Sequence, residues 1–250
     1  MIKTVRYGIK KMWAAVALLS VEVVVLLLLF SGALFTFIQV VTMVFKEKRE
    51  DFDVRAFGYL SKHVSIANTG LMEFFTFLGT HLFLIPANLL LIAYFLFIKQ
   101  HRWYSIKFPV VALSSLLLMF FLKFIFHRTR PLTPLLQQAQ GYSFPSGHAL
   151  MSVTFYGLLI VVVWQNINNT FLKWVLVIML FALIIAIGIS RVYLRVHYAS
   201  DVIAGFCLGF IWLILSLWVI QRFEKYSRKK IDPGMRYTLI KEDQGSSAII

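Results

Sequence analysis

The chain has a single cysteine, only 11 acidic residues and 14% charged residues. Those shortages exclude several chemistries. With Cys207 alone, no intrachain disulfide and no multi-thiolate metal site is possible. The carboxylates form no cluster of the kind a magnesium-dependent hydrolase needs. Internal repeats are also absent. Hydrocarbon stands where charge is missing: 60% of the residues are hydrophobic and the mean hydropathy is +0.79. Soluble domains average roughly 45–50% apolar residues. Several apolar runs are long enough to cross a bilayer, which takes about 20 helical residues. The composition therefore specifies an all-α, polytopic membrane protein.

The formal net charge is +14. The basic residues collect at the ends of apolar runs, where membrane topology and anionic headgroups account for them without nucleic acid. Six spans are expected: Met12 to about Val44, Met72–Ile98, Phe108 to about Phe126, about Ser146–Val163, Leu172–Ile189, and about Ala199–Val219. The first run exceeds one hydrocarbon thickness, so it must tilt, break near Ser31-Gly32 or project beyond the bilayer. Basic residues ahead of it and the small Ser31-Gly32-Ala33 also fit a cleaved signal peptide, but the hydrophobicity continues well past that point. Glu22 lies inside it without an assigned role. Residues 45–70 form a loop of mixed charge, Lys99–Lys107 a short basic loop, and Pro86 a kink in the second span. The membrane domain is expected over 1–230, and 231–250 as a polar cytoplasmic tail without fixed structure.

An even number of spans places both termini on one side. Together with the Lys99–Lys107 loop and Lys173 they carry most of the basic residues, so that side is cytoplasmic by the positive-inside rule, although the 45–70 loop has five basic residues of its own. The 127–147 loop and the 190–198 turn then face outward.

Three segments of that outer face carry chemistry. The first is Lys123, six residues, then Arg130-Pro131; a helix continued that far would put Lys123 and Arg130 on one face. The second is Pro145-Ser146-Gly147-His148, which suits a helix start, with free N–H groups for an anion and a glycine that admits close approach. The third is Ser190-Arg191, five residues, His197, three residues, Asp201. On a helix His197 and Asp201 would share a face, the carboxylate fixing the imidazole tautomer. Three cations, a helix N-terminus and two histidines at one depth make a clamp for a phosphoryl group. One histidine can attack phosphorus while the other protonates the leaving oxygen.

Together the three segments resemble the signature of the type 2 phosphatidic acid phosphatase superfamily, the lipid phosphate phosphatases, and match it in order without a substitution. The resemblance implies that His197 is the nucleophile and forms a phosphohistidine. Asp201 would orient it, and His148 would act as general acid and then as the base for water. Lys123, Arg130 and Arg191 would hold the phosphate, with hydrogen bonds from Ser146, Gly147 and Ser190. No metal or organic cofactor is implied. The signature is similar in soluble vanadium haloperoxidases, which the spans argue against, and in glucose-6-phosphatase, for which a lipid substrate is the stronger reading.

The expected partners are membrane lipids and a lipid phosphate: an isoprenyl diphosphate such as undecaprenyl diphosphate, phosphatidylglycerol phosphate, or phosphatidic acid. Transfer to a non-water acceptor and a non-enzymatic scaffold or transporter are the alternatives. The compact length and the lack of an outward glycosylation site suggest a bacterial plasma membrane, since Asn168-Asn169-Thr170 falls in a cytoplasmic turn. Outside the signature, Arg128 and Arg195 read as headgroup or surface contacts and His127 as structural. His63, His81 and His101 have no partner signal. Tyr142 and Phe144 are candidates for a pocket mouth.

Overall fold

The structure is a computed structural model. It describes residues 2–135 and 140–231, with side chains described for residues 21, 23–135 and 140–227. The side chain of Glu22 and the 232–250 tail lie outside the described residues. In chain order the helices are α1 (Ile2–Val41), α2 (Asp51–Ser61), α3 (Ile66–Leu78), α4 (His81–Ala93), α5 (Arg102–Phe126), α6 (Gly147–Asn166), α7 (Thr170–Tyr193) and α8 (Ala199–Ile231). Short π turns extend α1 to Lys46 and α4 to Ile98. No strand occurs among the described residues. Six helices are long and apolar enough to span a bilayer: Val23–Lys46 at the end of α1, His81–Ile98, α5, α6, α7, and Ala199–Ser227 within α8.

Helix α1 is unbroken at Ser31-Gly32. Its 40 residues extend ~60 Å at about 1.5 Å per residue, twice a hydrocarbon core. The expected second span is not one kinked helix. It divides at Gly79-Thr80 into α3 and α4, because Thr80 takes an extended backbone and starts a new helix. Pro86 sits inside α4 without ending it. The break lies where α3 closes on the bundle: a Cβ on Gly79 would stand 2.8 Å from Ile187 and 3.1 Å from the His148 ring. The 45–70 stretch contains α2 rather than loop alone. Most of the expected Lys99–Lys107 loop is the first turn of α5, which is capped by the His101 side chain. Likewise α8 carries the basic residues after Val219 on as helix.

Helix α6 is central and packs on α5, α7 and α8, with α1 against α8, α3 against α7 and α4 against α5. Lipid tails supply no hydrophobic drive between helices, so close van der Waals packing has to hold the bundle. Gly205 and Gly209, one turn apart on α8, permit it. A Cβ on either would fall 2.7 or 2.8 Å from the carbonyl of Ser146 or Leu150 on α6. At the same end, Phe37 and Phe45 of the first span, Phe126 of α5 and Phe144 pack ring on ring, with Phe144 fully buried. Phe144 therefore anchors the segment before α6 and does not line a pocket mouth.

Candidate active site

The close contact of α6 and α8 aligns their N-termini. The Ser146 amide donates to the Asp201 carbonyl at 3.0 Å, and the Ser146 hydroxyl caps α6 by accepting from the Ala149 amide. His148, in the first turn of α6, is thereby set beside the turn that enters α8. That turn folds back on α7: the amides of Val196 and His197 both donate to the Arg191 carbonyl at 3.2 Å. His197 thus precedes α8 and Asp201 lies in its first turn. The two do not stack along one helix face as expected, and they still meet. His197 Nδ1 is 3.5 Å from Asp201 Oδ2. Ser143 bridges the gap, its hydroxyl donating to Asp201 and lying 3.2 Å from His197 Nδ1.

The tautomer of His197 follows from its other neighbour. Arg130 Nη1 lies 3.3 Å from His197 Nε2. A guanidinium can only donate, so Nε2 presents its lone pair and Nδ1 carries the proton towards Ser143 and Asp201. His197 is 2% exposed. Burial holds its pKa down to about 4, against the raising effect of Asp201. The imidazole is therefore neutral, with its free nitrogen facing the cations.

Helix α5 ends at Phe126, and His127 turns the chain in a left-handed conformation (φ 46). Lys123 and Arg130 thus share no helix. The returning loop gathers them: Lys123 Nζ donates to the Tyr142 carbonyl at 2.5 Å, and Arg130 donates to the carbonyls of Gly141, Gln140 and Val196 at 2.9, 3.2 and 2.7 Å. Burial lowers the Arg130 pKa. Arg191 comes from the last turn of α7 and donates to Thr76 of α3 at 2.6 Å. Two buried groups here have no hydrogen-bond partner, His148 Nε2 and Arg191 Nε. Buried polar atoms are rarely left so without a purpose. Lys123, Arg130, Arg191, His148, His197 and Asp201 thus converge on one end of the bundle. The set suits a small anion that accepts hydrogen bonds from the cations while one imidazole nitrogen faces it.

The comparisons with known proteins fit this arrangement. The PAP2 superfamily matches the chain over residues 103–225. A phosphatidylglycerophosphatase B of Bacillus subtilis is 30% identical over 158 residues, 62% of this chain and 76% of that one. The chain belongs to the PAP2 superfamily. An undecaprenyl-diphosphatase of Sulfolobus acidocaldarius is 29% identical over 169 residues, 65% of this chain and 76% of that one. Among solved structures, the transmembrane PAP2 type phosphatidylglycerolphosphate phosphatase of Bacillus subtilis superimposes with a TM-score of 0.70. It is 23% identical, over 77% of this chain and 96% of that one, and this likeness bears on the fold.

Three of the expected residues of this PAP2 site also have packing roles in this structure. The Ser190 hydroxyl is fully buried and donates to the Ile187 carbonyl at 2.7 Å and to Thr76 at 3.1 Å, so it ties α7 to α3. The Ser146 side chain is taken by its cap. A Cβ on Gly147 would lie 2.4 Å from Met119 Sδ, so the glycine admits α5 as much as any ligand. Other residues went unread in the sequence. Ser143 is one and Thr76 another. Arg128, expected as a headgroup or surface contact, is instead largely enclosed between Asp201 (2.5 Å), Ser200 (2.7 Å) and Asp53 (2.8 Å), against the Tyr198 ring at 4.0 Å. Among the described residues no group of three or more histidine, cysteine or carboxylate side chains is placed to hold a metal ion.

Proposed function

We propose that this PAP2 protein hydrolyses the phosphate or diphosphate headgroup of a membrane lipid through a phosphohistidine. The observation that carries the reading is His197 Nε2 lying 3.3 Å from Arg130 Nη1, in a site where His148 Nε2 and Arg191 Nε stand buried and unpaired. His197 Nε2 forms the bond to phosphorus as the bond to the lipid oxygen breaks. The proton for that oxygen comes from His148, and Nδ1–H stays on His197, held by Asp201 and Ser143. Water then attacks the phosphohistidine, gives its proton to His148 and releases phosphate. Lys123, Arg130 and Arg191 carry the charge that develops on the phosphoryl oxygens. The residues present supply every proton transfer, so the reaction is expected to proceed without a metal ion.

The relatives, a phosphatidylglycerophosphatase B and an undecaprenyl-diphosphatase, support phosphatidylglycerol phosphate and undecaprenyl diphosphate as first candidates, with phosphatidic acid beside them. The lipid tails would stay in the bilayer while the head enters at the α6–α8 end. By the charge distribution that end faces away from the cytoplasm of a bacterial plasma membrane. The test is phosphate release by purified protein from a panel of these lipids in excess chelator. Turnover is expected, with orthovanadate inhibiting by mimicking five-coordinate phosphorus. Full activity in His197→Ala would remove the mechanism. A phosphorylated acceptor in place of free phosphate would show transfer rather than hydrolysis.

A further inference from the structure

Behind the reacting histidine lies a charged layer that the reaction above does not use. Asp53, in the first turn of α2, is 2% exposed although it comes from the stretch between the first span and α3. Its Oδ1 accepts from the Ser200 amide at 2.8 Å. Its Oδ2 accepts from the Ser200 hydroxyl at 2.6 Å and from Arg128 Nη2 at 2.8 Å. Arg128 Nη1 in turn donates to Asp201 Oδ1. The other oxygen of Asp201 accepts from Ser143 and from the Tyr198 amide and faces His197. One fork therefore spans two carboxylates, and only one of them touches the nucleophile.

We propose that Asp53 and Arg128 are positioning residues for His197, acting through Asp201. Arg128 fixes the plane of the Asp201 carboxylate, so that Oδ2 stays aimed at Ser143 and Nδ1–H. Asp53 shares the Arg128 charge. Without Asp53, Arg128 would neutralise Asp201 alone, and the carboxylate would support a positive imidazole less well. Burial opposes the charge on Arg128, but Asp201 and Asp53 outweigh it and raise its pKa, which keeps the fork cationic. The other charged and titratable groups facing His197 are Arg130 from the loop after α5, His148 of α6 and Arg191 of α7, with Lys123 of α5 near Asp201 and His148. None of them contacts Asp53. A purely structural tie would not have to end on the carboxylate that orients the nucleophile.

The inference rests on the phosphatase reading, and two variants test it beside the wild type. Asp53→Asn leaves Arg128 with Asp201 alone. Its kcat is expected to fall on the order of 10-fold to 100-fold, the scale of a small misplacement of a reacting group, with KM within about 2-fold. The acid limb of its kcat/KM profile moves to lower pH by about 0.5–1 unit, because a positive His197 is less supported. The double variant Asp53→Asn with Arg128→Gln removes both charges and leaves the Asp201 carboxylate facing His197 without its guanidinium. Its limb moves to higher pH, because the nearer positive charge is gone. A limb owed to the substrate phosphate is common to all three proteins. A lowered Tm with wild-type kcat in Asp53→Asn, or a limb in the double variant that stays or moves down, overturns the inference and marks a structural tie. If Asp53→Asn is not recovered folded, the double variant decides alone. A wild type inactive on every lipid phosphate would overturn the phosphatase reading and this one with it.

Discussion

The two ends of the bundle both bury charge, and they treat it differently. At the end that holds the termini of α5 and α8 away from the histidines, Lys107 faces Glu224 at 3.7 Å and lies over the Tyr104 ring at 4.8 Å. Nearby the Tyr104 hydroxyl donates to Gln165 at 2.6 Å and accepts from Asn166 at 3.2 Å. Among the described residues, the unpartnered buried side-chain atoms outside the histidine end are neutral, Ser105 Oγ and Asn88 Oδ1. At the histidine end the unpartnered atoms are ionisable, His148 Nε2 and Arg191 Nε, and they sit among further cations. A bundle built only for stability would pair those groups or lose them. A neutral atom left unpaired is a modest cost that a stable bundle can carry, whereas buried ionisable groups left unpaired are costly enough to point to something that binds.

The largest effect that would sharpen this contrast is at His148. His148→Ala should lower kcat by roughly 10²–10⁴-fold through loss of the proton donor, read as phosphate release, while the protein stays folded. Arg191→Ala should cost roughly 10²–10³-fold in kcat, because charge on the phosphoryl oxygens is no longer met. Its Tm should hold or rise, since the variant removes a cation without a carboxylate partner; a collapsed fold would show that Arg191 is structural. Lys107→Met at the other end should invert that pattern. It removes the charge facing Glu224 and the cation over the Tyr104 ring, costs about 1 kcal/mol of stability and lowers Tm. The kcat/KM of the folded fraction should match wild type, and a specific loss of turnover would break the comparison. The smallest effect is expected at Gly147→Ala. The flexible Met119 can give way, so activity should drop only a few-fold, by roughly 1 kcal/mol in barrier.

Much of the site was legible because its chemistry depends on residue type and local spacing. Lys123, Arg130, His148, Arg191, His197 and Asp201 stand in short patterns, and each pattern falls at the end of an apolar run. Asp53 had no such signal. It is one acid in a stretch of mixed charge, and nothing local says that α2 folds onto Ser200. Arg128 read as surface for the same reason, since both of its carboxylates are more than 70 positions away in sequence. Ser190 belongs to the pattern, and its spacing gave no sign that its hydroxyl also ties α7 to Thr76 of α3. The break at Gly79-Thr80 was hidden as well. Pro86 announces itself by its ring, whereas Gly79 matters only because Ile187 and His148 press against it.

Hydropathy alone determined that the chain crosses a bilayer six times, because every backbone group in hydrocarbon must be satisfied within its own helix. Local motif spacing determined which residues are the candidates for the chemistry. Only the packing of α6 on α8, through two glycines, decided that His148 and His197 share one end and one depth. Only the fold of α2 over that end decided which carboxylates share Arg128. Such contacts join residues far apart in the chain, and their energy is realised only once the helices touch.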